Sequence, residues 1–232
     1  STQMAVINAS EAGLIIGQSS TTFATARQNG SSAIPSPTGD NDESIRYSAA
    51  SGRGSLTHAI KRTFLYFDTS GLTGTISDVE INIVGVTNNG ADVIFLKSTA
   101  FGGDGGTTLV TSDYFSTIDY STEYSVKYDS WNASAVNHIA LNSDANTDIQ
   151  NDDAFICALV EHDSDYSNSA ATSSALRQNG IAFGTTITLT YTEAASASGP
   201  ANLTSYNGIA KASITSINGI TMANITTLNG IS

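Results

Sequence analysis

The sequence is short of charge, cysteine, proline, histidine and long apolar runs, and each shortage excludes something. Charged residues make up 13% of the 232, against roughly a quarter in an ordinary globular chain. Nine Lys and Arg face 21 Asp and Glu, a formal charge of -12. That balance repels phosphate backbones and anionic headgroups, so neither nucleic acid nor a membrane is an expected partner. The single cysteine, Cys157, excludes an intramolecular disulfide. It lies in the run Phe155-Ile156-Cys157-Ala158-Leu159-Val160, where a thiol behaves as a small buried hydrophobe. No segment approaches the roughly 18 apolar residues of a membrane-spanning helix. Ser1-Thr2-Gln3-Met4 has neither the basic nor the apolar region of a secretory signal, so the expected place of synthesis is a cytoplasm.

Chemistry is equally sparse. His58, His138 and His162 are the three histidines. They show no His-x-x-x-His spacing, and no serine sits in a Gly-x-Ser-x-Gly elbow. The expectation is a non-enzymatic protein with no catalytic residue.

What is present is a β palette. Hydrophobic residues, at 40%, suffice for one substantial core, and Ser, Thr, Asn and Gly abound. Short or alternating apolar runs predict strands at 4–8, 13–17, 44–48, 63–68, 76–86, 92–99, 123–129, 138–141, 154–161, 180–183 and 185–192. No stretch reads as an amphipathic helix. In 78–86, alternation places Val79, Ile81, Ile83 and Val86 on the core face, with a bulge at Val84-Gly85. Asn88-Asn89-Gly90 then predicts a hairpin with the strand starting at Asp92. Residues 19–43, with Pro35 and Pro37, and the glycine-rich 102–106 read as surface loops. Arg-Gln-Asn-Gly occurs at 27–30 and again at 177–180, which reads as two similar turns.

The fold class expected is all-β: an antiparallel jelly-roll-like β-sandwich over 1–193, a small-residue linker over 194–200 and a short β-repeat tail over 201–232. The tail repeats every eleven residues as Leu203, Tyr206, Asn207-Gly208-Ile209; Ile214, Ile217, Asn218-Gly219-Ile220; Ile225, Leu228, Asn229-Gly230-Ile231. An Asn-Gly pair among β-branched residues opposes a helix and favours strand, tight turn, strand. One such unit cannot bury its apolar face by itself. The nine apolar positions are therefore the expected oligomerisation or docking residues, with three copies of the same tail as the simplest partner.

The stretch Arg62-Thr63-Phe64-Leu65-Tyr66-Phe67-Asp68-Thr69-Ser70-Gly71-Leu72, followed by Ile76-Ser77-Asp78-Val79-Glu80-Ile81, resembles an opening of jelly-roll modules in bacteriophage structural proteins and related secreted bacterial proteins. The likeness continues through Trp131, Asn137-His138-Ile139-Ala140-Leu141-Asn142 and Leu159-Val160-Glu161-His162-Asp163-Ser164-Asp165-Tyr166, covering roughly 45–192. The Asn-Gly-Ile tail resembles C-terminal repeats of tailed-phage virion proteins. The resemblance implies a homotrimeric virion surface protein, a head decoration or fibre component contacting major capsid or tail proteins, made in the host cytoplasm.

The competing reading is a carbohydrate-binding module or adhesin for a host-surface glycan. Tyr120, Tyr124 and Tyr128 are its candidate stacking residues, within an aromatic group that also includes Tyr114, Phe115 and Trp131. Trp131 is expected in the core. Asp163 and Asp165 are candidate Ca²⁺ ligands, and Asp40, Asp42 and Glu43 form a second acidic run. The sparse bases Arg46, Arg53, Lys61 and Arg62 are expected at a subunit interface, with internal ion pairs as the alternative.

Overall fold

The computed structural model describes residues 2–194 and 203–222, with Ile225 and Leu228. In chain order the sandwich strands are β1 (Thr2–Asn8), β2 (Glu11–Gly17), β3 (Gly30–Pro35), β4 (Asp40–Gly52), β5 (Ser55–Asp68), β6 (Thr75–Asn89), β7 (Val93–Ser98), β8 (Ile118–Glu123), β9 (Val136–Ala140), β10 (Ala154–Glu161), β11 (Ala175–Ala182) and β12 (Thr188–Ala194). Helix α1 (Phe23–Gln28) lies between β2 and β3, and α2 (Ser143–Asn151) between β9 and β10.

Every pairing is antiparallel, so the chain is an all-β sandwich as its composition predicts. One layer runs β1-β12-β6-β9 and the other β11-β4-β5-β10-β7-β8. Tyr66 of β5 pairs with Glu11 and with Ile156, so β2 holds one edge of β5 opposite β10, and β3 extends from β2. Strand β6 belongs to both layers. Its register on β11 jumps from Thr87 to Gly85, leaving Val86 as an extra residue, and this bulge lets the strand cross from one layer to the other.

Strand β10 shows why some runs are apolar throughout. Phe155, Cys157 and Leu159 join the core between the layers, with Phe67, Phe95, Ile81 and Leu189. Ile156, Ala158 and Val160 join a second core on the opposite face, closed by Phe101, Leu109 and Tyr114 and flanked by Phe23 of α1. A strand buried on both faces has no polar alternation. Each large apolar side chain fully buried here contributes about 1.5–3 kcal/mol. Trp131 lies in the first core, 4% exposed.

The predicted Asn88-Asn89-Gly90 hairpin is corrected. The turn forms, with Gly90 at φ 75 and its N–H donating to the Asn88 side chain at 3.0 Å. However, β6 pairs with β9, β11 and β12, and β7 with β8 and β10. The chain arches between layers instead of doubling back, because turn chemistry is local while strand partners are chosen by the two cores. The actual long hairpin is β4–β5, closed at Gly52↔Ser55 by Arg53-Gly54, both at positive φ. Sequence reading shortened both strands, whose tips are small and polar. The segment 19–43 holds α1 and β3, and 123–129 makes one bridge, Val93↔Tyr128, beyond β8. Helix α2 buries Ala145 and Ile149 alone, too little for a periodic signal; the Asn142 side chain caps it, accepting from Ala145 N at 3.1 Å.

Candidate functional site

Beyond Glu161 the chain makes a wide turn, His162–Tyr166, and four long-range side chains converge on it. The Glu161 carboxylate accepts from the N–H groups of Asp163, Ser164 and Asp165 at 2.9, 2.8 and 3.0 Å. Arg177 of β11 donates through Nε to Glu161 at 2.9 Å and touches the Ser164 hydroxyl. Arg62 of β5 grips Asp165 twice, Nε to Oδ2 and Nη2 to Oδ1, both at 2.7 Å. It also donates to the carbonyls of Tyr114 and Arg27 at 2.6 and 2.8 Å. Arg27 donates through Nε to the Asp165 carbonyl at 2.8 Å, and Tyr120 donates its hydroxyl to Asp165 at 3.0 Å.

The guanidinium of Arg62 lies 3.9 Å from the Tyr114 ring centre and that of Arg27 lies 4.2 Å from Tyr120. Burial opposes the Arg62 charge, but Asp165 together with Tyr120 and Tyr114 outweighs it and holds its pKa above the ordinary value. Burial, reinforced by Asp165, raises both phenols. Buried charges persist only when paired and hydrogen-bonded, and this cluster meets that condition.

The two Arg-Gln-Asn-Gly copies are not two similar turns. The first ends α1 and enters β3; the second runs within β11. Their arginines meet on the same turn from two sides. Arg62 is likewise removed from the expected subunit interface, because its side chain is fully buried. Arg46 and Lys61 both pair with Glu43, and the Lys61 hydrogen bond, chiefly, holds that carboxylate below its ordinary pKa. Asp42 accepts from Thr87 Oγ1 at 2.6 Å.

The two candidate Ca²⁺ ligands have different surroundings: Asp165 faces Arg62 in the interior, whereas Asp163 is half-exposed and hydrogen-bonded to His162 at 2.8 Å. Among the described residues, no three His, Cys, Asp or Glu side chains gather as a ligand group. Each of the three aromatic candidates makes an internal hydroxyl hydrogen bond. Tyr124, 2% exposed, packs 4.9 Å from Phe155 and donates to Asp148. Tyr128 donates to Asn137 at 3.2 Å, and the partly buried Tyr120 is held in the Asp165 cluster.

Among the described residues the tail forms two like units. Strands β13 (Ser205–Tyr206) and β14 (Ile209–Ala210) pair around Asn207-Gly208; β15 (Ser216–Ile217) and β16 (Ile220–Thr221) pair around Asn218-Gly219. Asn207 and Gly208 have φ of 50 and 79, Asn218 and Gly219 of 53 and 78, the tight hairpin turn that Asn-Gly favours. Other backbone bonds recur at the same spacing: Lys211 N to Thr204 O and Met222 N to Thr215 O, then Ile214 N to Lys211 O and Ile225 N to Met222 O.

Consecutive units cover part of one another's apolar face. Leu203, Ile214, Ile217 and Met222 are buried together, with Tyr206, Ile225 and Leu228 packed against them. Ile209 and Ile220, at equivalent places, are each 54% exposed. Ile231, the third such position, lies outside the described residues. Sequence reading found this spacing but did not separate inward Leu203, Ile214 and Ile217 from outward Ile209 and Ile220.

The fold and these sites define a β-sandwich with a hairpin-repeat tail. No protein-family model matches the chain, and no curated protein sequence matches it.

Proposed function

We propose that this chain is a non-enzymatic structural protein of a virion surface, assembling as a homotrimer through its C-terminal repeat and contacting capsid or tail proteins. The observation that supports this most is the pair Ile209 and Ile220: repeated, outward-facing and 54% exposed on hairpins whose inward positions are already filled. Burying an isoleucine contributes about 1.5–3 kcal/mol, so an aligned row shared among copies favours association. The phage setting rests on the resemblance of the sandwich motifs and of the Asn-Gly-Ile repeat.

Light scattering on the full chain and on Ile209→Asp/Ile220→Asp tests the assembly. The expected result is a trimer that the double substitution dissociates without unfolding the sandwich. A monomer at every concentration sinks self-assembly. The virion reading further requires peptides of this chain in gradient-purified phage particles, and their absence there would remove it. The glycan-binding alternative loses support from the burial of Tyr124 and the commitment of the Tyr120 hydroxyl to Asp165.

A further inference from the structure

Strand β1 pairs with β12 along its whole length with no register shift, from Thr2↔Ala194 to Asn8↔Thr188. Among the described residues no strand pairs with its other edge. Ala9 N donates to Ile187 O, whereas Ser10 N turns away to Tyr66 O, both at 2.8 Å. Strand alternation therefore directs the backbone groups of odd-numbered residues toward β12 and leaves those of Met4, Val6 and Asn8 on the open edge. The side chains also divide: Ala5 and Ile7 pack on the core, and Met4 and Val6 are 70% and 61% exposed.

Natural sheets blunt open edges with charges, proline, bulges or a covering segment. Thr-Gln-Met-Ala-Val-Ile-Asn has no charge or proline, and its pairing has no bulge. The neighbouring β12 carries no charge before Glu193. On a chain of formal charge -12, two copies meet little like charge along this uncharged strip.

The geometry points to β1 as a self-pairing edge: two copies of this chain join antiparallel about a twofold axis at Ala5, setting Met4 of each opposite Val6 of the other. Both residues present their backbone groups outward, so this register forms hydrogen-bonded pairs and closes two apolar side-chain pairs on one face. A slip of one residue breaks the hydrogen-bond parity. A slip of two keeps it but sets Met4 or Val6 opposite Asn8 or Thr2. The contact is independent of the repeat. It is small for a lone interface, so it forms by itself at high protein concentration.

The test uses Met4→Cys and Val6→Cys, separately and mixed, under mild oxidation; the native Cys157 is fully buried. Only the mixture is expected to cross-link. Its cysteines sit directly opposite, with Cα atoms about 5.5 Å apart, whereas identical positions are diagonal at about 7–8 Å, too far for a disulfide. Val6→Lys is expected to reduce the solution mass at least twofold at matched concentration. Equal cross-linking in all three samples, or a mass that Val6→Lys leaves unchanged, overturns the inference. The cross-link must also survive Ile209→Asp/Ile220→Asp. Its loss there would assign the association to the tail and overturn the edge.

Discussion

Arg62 and Asp165, 103 residues apart in sequence, face each other through two 2.7 Å hydrogen bonds with both side chains at 0% exposure. The pair ties β5 to the turn after β10, and Arg27, Arg177, Tyr114 and Tyr120 complete the surround. It is a clamp on the fold, with the Asp165 carboxylate turned away from solvent.

The first prediction concerns this pair. Arg62→Met leaves Asp165 buried without its partner, and removal of one member of such a pair costs about 3–5 kcal/mol. Arg62→Met with Asp165→Leu leaves no stranded charge and is expected to recover most of that loss. Denaturant unfolding of the wild type, both single variants and the double variant measures the coupling. Strict additivity would mean that the two side chains do not stabilise the fold as a unit.

How much of this was legible follows from the range of each interaction. The tail units were readable because Asn-Gly and the surrounding apolar residues all lie within eleven positions, and the turn imposes the pairing. The strands were readable where one face alternates, as in Val79-Glu80-Ile81-Asn82-Ile83, or where both faces are buried, as in Phe155 to Val160. The partner of β6 was not, because Asn88-Asn89-Gly90 serves an arch as well as a hairpin. The clamp was not either: Arg27, Arg62 and Arg177 reach the 161–165 turn from three distant strands or helices. Its one trace was the repeated Arg-Gln-Asn-Gly, whose shared feature is where the arginines end, not the backbone around them.

A second prediction is a pH dependence centred on His58. This ring is 6% exposed, accepts from or donates to the Tyr47 hydroxyl at 2.8 Å, and has Phe23 edge-on at 5.5 Å. Burial lowers its pKa below the ordinary 6.5. The unfolded chain therefore takes up the proton first as pH falls. The His58 contribution is fully present above 6.5 and is lost as pH drops toward the folded-state value, with a slope of at most about 1.4 kcal/mol per pH unit. Thermal unfolding followed from about pH 7.5 down to about pH 5.5 should show a shallower loss for His58→Phe than for the wild type. Parallel profiles would reject the assignment.

Cys157 supports a third. Its thiol is fully buried, and burial raises its pKa well above the ordinary value. Thiolate is the reactive form, so a thiol reagent should leave the native chain unlabelled at mildly alkaline pH and titrate one group after denaturation. Prompt labelling of the native protein would mean that β10 opens far more often than a strand buried on both faces should.

The fourth separates crowding from backbone strain at two glycines of β6 and its turn. At Gly85, an added Cβ would lie 2.1 Å from the Asn132 carbonyl oxygen and 2.8 Å from Trp131 Nε1. Backbone and a packed indole cannot yield cheaply, so Gly85→Ala must shift the 131–137 loop against the core. At Gly90, nothing lies within 4 Å of the added atom, but φ is 75, and the left-handed conformation costs a residue with a Cβ about 1–2 kcal/mol. Gly90→Ala is therefore expected to lose about that amount, and Gly90→Asn, which tolerates this conformation, less. Gly85→Ala should lose more than either, with no rescue by Asn. Unfolding midpoints for the three variants decide the matter. If Gly85→Ala is the mildest of them, the close approach between β6 and the Asn132 carbonyl is not what fixes the bulge at Val86.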